Sequence, residues 1–126
     1  MDNADARRRE AARVTLQEAG ATFAYVFGSV ARGEATPQSD LDVAALFPEP
    51  APVSFEIVMP AGVDLLVLND APLEIKGKIA LDGQLLFEDD PVARVRWEAT
   101  TRKIYLDERY RIERSHREFL EALGRG

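Results

Sequence analysis

Ala24-Tyr25-Val26-Phe27-Gly28-Ser29-Val30-Ala31-Arg32-Gly33, followed six residues later by Asp40-Leu41-Asp42-Val43-Ala44-Ala45-Leu46, decides how this chain is read. One apolar run enters a glycine-serine turn, and a second apolar run carries two carboxylates separated by one residue. Side chains two apart on a strand point to the same face, so Asp40 and Asp42 project together. Neighbouring carboxylates repel unless a cation lies between them. Hard oxygen donors of this kind suit Mg²⁺, which binds through one or two carboxylates together with substrate phosphates.

The segment before the acids supplies a phosphate-binding half. Gly28-Ser29 stands between a strand-like run, Phe23 to Phe27, and a short stretch able to turn helical. Glycine lets a backbone approach a phosphate closely, and free amides at a helix start attract anions. The Ser29 hydroxyl adds a donor for a triphosphate. A third acid, Asp64, lies in another strand-like run, Val63-Asp64-Leu65-Leu66-Val67-Leu68. If that strand runs beside the Asp40–Asp42 strand, the three acids converge. They then suit two-metal, in-line phosphoryl chemistry, in which one ion orients the triphosphate and the other activates the attacking hydroxyl.

These residues carry a resemblance. The Gly-Ser-x10-Asp-x-Asp spacing, with Ala31-Arg32-Gly33 after the serine, Ser39-Asp40-Leu41-Asp42 at the acids and Val63 to Pro72 downstream, resembles the minimal nucleotidyltransferase (MNT) family. Its members are small relatives within the DNA polymerase β-like nucleotidyltransferase superfamily. The likeness spans about residues 21–87, and Tyr105-Leu106-Asp107 resembles the family more weakly. It implies an α/β (α+β) fold: a small mixed sheet flanked by helices, palm-like. It further implies that Asp40 and Asp42 bind Mg²⁺, and that Asp64, as the third metal-site acid, helps activate the acceptor hydroxyl. Gly28 and Ser29 would hold the triphosphate of ATP, with Arg32 and Ser39 completing the nucleotide-binding set. Stand-alone domains of this kind resemble antitoxins of HEPN/MNT toxin–antitoxin systems, which adenylylate a tyrosine of a partner HEPN ribonuclease. The implied cofactor is Mg²⁺, two ions, and the implied partner is that toxin.

The chain departs from the family pattern in one place. Relatives often carry a helix between the Asp-x-Asp strand and the third-acid strand. Here Phe47 to Gly62 contains Pro48, Pro50, Pro52 and Pro60, a density that does not permit an ordinary helix. The expectation is an extended or looped crossover with a small extra strand at Ser54 to Met59. Elsewhere, punctuation predicts a helix from Ala4 to Ala19 closed by Gly20, and strands near residues 23–27, 41–46 and 63–68. A helix begins after Asn69-Asp70 with Pro72 near its first turn and ends at Gly83. A short edge strand follows at Leu85 to Phe87. Asp89-Asp90-Pro91 then opens a long helix reaching about Leu123.

At 126 residues the chain reads as one domain, with its core over about 21–88 and the C-terminal helix over about 91–123. Apolar content of 46% and charged content of 30% are those of a soluble globular protein. No run approaches a membrane span, and the first residues lack the charge and apolar core of a signal peptide. The absence of cysteine excludes disulfides and fits a cytoplasmic location. Residues 1–90 hold 7 Lys/Arg against 16 Asp/Glu, whereas residues 91–126 hold 9 against 6. An acidic body argues against direct nucleic-acid binding, which needs a basic surface. The basic C-terminal segment suits solvated salt bridges, pairing with the acidic body, or a partner.

Several candidates also have ordinary readings. Asp64 suits a polar strand opening, Arg32 a pairing with Glu34 or Glu18, and Ser39 with Gln38 the shaping of the loop into Asp40. His116 falls on a solvated helix face. Trp97, Tyr105 and Tyr110 have the spacing to pack the long helix onto the domain or a partner. Two other functions fit the same residues: nucleotidyl transfer to a small-molecule hydroxyl, as in antibiotic nucleotidyltransferases, and a silent antitoxin that acts by binding its toxin. The chain has little beyond a nucleotide half-site, so a macromolecule bringing its own acceptor is the first expectation.

Overall fold

The computed structural model describes residues 3–31, 33 and 39–124, and for residues 3, 29 and 30 the backbone alone. Helix α1 (Asn3–Glu18) ends where Gly20 takes φ +89° and Ala21 N–H donates to the Leu16 carbonyl at 3.0 Å, a left-handed stop that glycine adopts without strain. Four strands follow: β1 (Phe23–Phe27), β2 (Leu41–Leu46), β3 (Val63–Val67) and β4 (Gln84–Glu88). The sheet order is β3-β2-β1-β4, with β1 antiparallel to both β2 and β4, and β2 parallel to β3. The sheet is therefore mixed. Its helices are α1, the one-turn α2 (Gly28–Ala31), α3 (Leu73–Asp82) and α4 (Pro91–Gly124).

Alternation along the strands divides the core between the two faces of the sheet. Ala24 and Val26 of β1, with Leu41, Val43 and Ala45 of β2, pack on Ala12 and Leu16 of α1. The other face places Phe23, Tyr25 and Ala44 against Leu68, Ile79 and Trp97, beneath α3 and α4. Trp97 lies 5.5 Å from the Phe23 ring and 5.7 Å from Tyr25, within the range of favourable aromatic pairing.

A parallel β2–β3 pair requires a crossover, and residues 47–62 provide it without a long helix. The small strand expected at Ser54 to Met59 is not formed; a single 3-10 turn at Ser54–Glu56 takes its place. Pro52 and Pro60 bracket the segment and supply no ladder N–H, while Phe55 and Val58 are 86% and 89% exposed. Ile57 and Met59 are half-buried against the core, but the segment pairs with no neighbouring strand and so forms none. Asn69 fixes the crossover's start instead. Its side-chain amide accepts from Phe47 N–H at 3.0 Å and donates to the Phe47 carbonyl at 2.8 Å and to Glu49 at 3.0 Å.

Helix α4 begins on a true cap, the Asp90 carboxylate accepting from Ala93 N–H at 3.0 Å. Arg94 bridges Glu88 at 2.6 Å and Glu98 at 2.5 Å, and Arg102 Nε donates to the Ala80 carbonyl at 2.6 Å, fastening the helix to β4 and α3. Gly77 lets α4 lean on α3: a Cβ there would lie 2.1 Å from the Tyr105 ring. At 34 residues α4 is about 51 Å long. Its far part is exposed, with Arg109, Arg111 and Arg114 paired to glutamates of the same helix. Trp97 and Tyr105 thus pack inward as their spacing suggests, whereas Tyr110 faces outward. No helix among the described residues is long and apolar enough to cross a membrane.

Candidate active site

The β-register brings two of the acids level. In the antiparallel pair Phe27 stands opposite Asp42, and in the parallel pair Asp42 stands opposite Asp64. Residues level with each other on adjacent strands share a face and lie about 5 Å apart. Asp42 and Asp64 therefore project from the same end of the same face, the one covered lower down by α3 and α4. Leu41, between the two β2 acids, is fully buried among the α1-side core residues. Asp40 precedes the strand and is exposed there.

Gly28 makes room for this group. It has φ +76°, and a Cβ built on it would lie 2.3 Å from Asp42 Oδ2. The carboxylate occupies the space a side chain would fill, pressed against the turn from β1 into α2. No three His, Cys, Asp or Glu side chains among the described residues stand close enough to hold a metal by themselves. The donor set nonetheless fits Mg²⁺ in the manner that ion prefers: carboxylates at one edge, with phosphate oxygens and water left to complete the shell.

A cavity of about 720 Å³ opens beside the glycine turn. Phe27, Gly28 and Ala31 form one wall, and Ile75, Lys78 and Ile79 of α3 form another. Its size falls within the usual range for small-molecule sites, about 300–1,000 Å³. The Lys78 ammonium, 3.4 Å from the exposed Glu74 carboxylate, is the cation on that wall. Sequence reasoning missed it, because one lysine in an amphipathic helix has no pattern. A weak signal existed: Lys76 and Lys78 are the only lysines in the acidic first ninety residues.

The remaining candidates fall as follows. Ser39 is half-buried ahead of Asp40, and its carbonyl accepts from Arg8 Nη1 at 2.8 Å. Ser29 lies in the backbone of α2, but its side chain is outside the described residues, as is Arg32. His116 is exposed on α4, away from the acids in the chain and on the solvent face.

Comparison with known proteins bears on the family and the fold. Residues 11–92 match the family described as polymerase beta, nucleotidyltransferase. Among solved structures, a chain of a toxin–antitoxin structure with AMP-PNP superposes with a TM-score of 0.72 at 17% identity, covering 89% of this chain and 98% of that one. A chain of the MntA–HepT toxin–antitoxin gives 0.67 at 15% identity, covering 91% and 98%. A third match comes from Shewanella oneidensis, from a tri-AMPylated HEPN toxin in complex with MNT antitoxin. It gives 0.59 at 17% identity, covering 88% and 98%. No curated protein matches this chain in sequence.

Proposed function

This chain belongs to the polymerase β nucleotidyltransferase family, and from that premise we propose that it is an antitoxin transferring AMP from ATP to a tyrosine hydroxyl of a partner HEPN ribonuclease toxin. The observation that carries the reading is the level placement of Asp42 and Asp64 beside the Gly28 turn. In this reading Asp42 serves as a metal-binding carboxylate and Asp64 as a proton acceptor, near the glycine turn that lines a cavity of nucleotide size. The structural relatives with AMP-PNP and with an AMPylated HEPN toxin support the choice of nucleotide and partner.

In this reading the Gly28-Ser29 turn and Lys78 hold the triphosphate along the cavity, and Asp40 and Asp42 hold Mg²⁺. Bound there, the ion offsets phosphate charge and acidifies the attacking hydroxyl. Asp64, exposed at the start of β3, accepts the tyrosine proton as its oxygen attacks the α-phosphorus. A tyrosyl O–P bond forms, the bond from the α-phosphorus to the bridging oxygen breaks, and pyrophosphate leaves. Positioning and charge supply the rate, with no covalent enzyme intermediate. Residues 21–88 form the catalytic core, and the exposed part of α4 faces the partner.

Reaction with ATP labelled at the α-phosphate, with and without the HEPN protein, tests this. Label carried only by the HEPN chain is the expected result. Label on small hydroxyl compounds without it would favour an antibiotic-type enzyme. Neutralisation of the toxin by an Asp40→Ala/Asp42→Ala chain would favour a silent antitoxin.

A further inference from the structure

We infer that Arg8, on α1, is a positioning residue that braces the two turns from which Asp40, Asp42 and Asp64 are presented; the inference rests on the nucleotidyl-transfer reading of those acids. Arg8 lies outside the segment that matches the family, residues 11–92. Its Nη1 donates to the carbonyl of Ser39, the residue before Asp40, at 2.8 Å. The same side chain lies over Gly62, two residues before Asp64: a Cβ on Gly62 would meet Arg8 Cδ at 3.4 Å and Nη1 at 3.6 Å. Gly62, at φ +77°, also accepts from Leu41 N–H at 2.8 Å. The guanidinium therefore bonds the backbone just before β2 and lies beside Gly62 just before β3, where those strands are bonded to each other.

The surroundings suit a brace. The Arg8 side chain is only 22% exposed, and charge-assisted bonds strengthen away from water. Asp5 stands 4.0 Å from Arg8 Nη2, a distance of charge attraction without a hydrogen bond, and accepts from Arg9 Nε at 3.0 Å. Arg9 continues the arrangement. Its Nη2 donates to Gln84 Oε1 at 3.1 Å, and Gln84 Nε2 donates to the Ala31 carbonyl at 3.2 Å, at the end of α2 and the cavity wall. Helix α1 is docked independently by Ala12 and Leu16, both fully buried. Removing Arg8 thus loosens the site without undocking the helix. Lysine replaces it only in part, since an ammonium on a flexible stem lacks the fixed planar donors of the guanidinium.

The test compares the full-length chain with Arg8→Ala and Arg8→Lys in three measurements: amide exchange, Mn²⁺–ATP affinity by calorimetry, and thermal melting. Arg8→Ala should lose exchange protection at Leu41 while Ala24 and Phe87 keep theirs. Its Mn²⁺–ATP affinity should fall about tenfold, as for other residues that orient metal ligands from behind. Arg8→Lys should lie between alanine and the native chain, and melting should change little. Unaltered protection at Leu41, equal loss across β1 and β4, or an Arg8→Lys chain that matches the native one would overturn the brace. A native chain that fails to bind Mn²⁺–ATP overturns the nucleotidyl-transfer reading instead, and the exchange pattern still decides the brace.

Discussion

Replacing Gly28 by alanine separates the geometry of the site from the stability of the fold. The new Cβ would lie 2.3 Å from Asp42 Oδ2, against an ordinary contact of about 3.5 Å, so the carboxylate must retreat by about 1 Å. Displacement of that size at a reacting centre costs about 10²-fold in rate, equivalent to about 2.7 kcal/mol of transition-state stabilisation. The backbone cost is separate: φ +76° disfavours an L side chain by roughly 1–2 kcal/mol, enough to lower the melting temperature by several degrees. Gly20→Ala is the control. Gly20 has φ +89°, and nothing lies within 4 Å of the place its Cβ would take, so the substitution brings the strain without touching an acid. Initial rates of AMP transfer and circular-dichroism melts of both variants give the comparison. Both should melt lower, and only Gly28→Ala should lose about two orders of magnitude in rate. A folded Gly28→Ala chain within about threefold of native activity would refute the argument that Asp42 is held in place by the glycine turn.

Three further outcomes follow from particular contacts. Gly77→Ala drives a methyl into the Tyr105 ring, 2.1 Å away, and should destabilise the chain by about 1–3 kcal/mol in urea unfolding; an unchanged midpoint would show that α4 sits loosely on α3. Lys78→Ala should raise KM for ATP about tenfold while kcat changes less, because a phosphate contact made equally in ground and transition states alters binding alone; equal falls in kcat and kcat/KM would place Lys78 in the chemical step. Tyr25 is 1% exposed, and burial, followed by the negative charge of Glu98, pushes its pKa well above the usual tyrosine value. The folded chain keeps that proton more tightly than the unfolded one. Its stabilising effect is whole below about pH 10, the ordinary tyrosine value, and declines as pH rises beyond it. Urea midpoints at pH 8 and pH 11 should therefore differ less in Tyr25→Phe than in the native chain, and an equal alkaline loss in both would contradict the assignment.

What the sequence made legible is what depends on short-range pattern. Apolar runs and the punctuation between them located β1, β2 and β3, Gly20 marked the end of α1, and Asp90-Pro91 marked the start of α4. The spacing of Asp40, Asp42 and Asp64 pointed to one edge of the sheet, but their alignment depends on a parallel β2–β3 register. That register is set across a sixteen-residue proline-rich crossover, and nothing in the local sequence encodes it. The same crossover misled the reading in detail. Phe55 to Met59 is apolar enough to resemble a strand, yet only Ile57 and Met59 reach the core while Phe55 and Val58 face solvent, and the segment joins no sheet. Long-range polar contacts were invisible for a related reason. Arg7, Arg8 and Arg9 are alike as letters, and only the fold shows that Arg8 reaches Ser39, thirty-one positions away. The Asn69 clasp on Phe47 is of the same kind: a turn residue by composition, a strand-like partner in space.

The reaction proposed for this chain is protein adenylylation at the Asp40–Asp42 site. Intact-mass analysis of the partner HEPN protein after incubation with this chain and Mg²⁺–ATP tests it most directly, beside a parallel reaction with Asp40→Ala/Asp42→Ala. The account predicts mass increments equal to added AMP, located on tyrosine and absent with the double variant. A partner that stays unmodified while held in a tight complex with the native chain would contradict it.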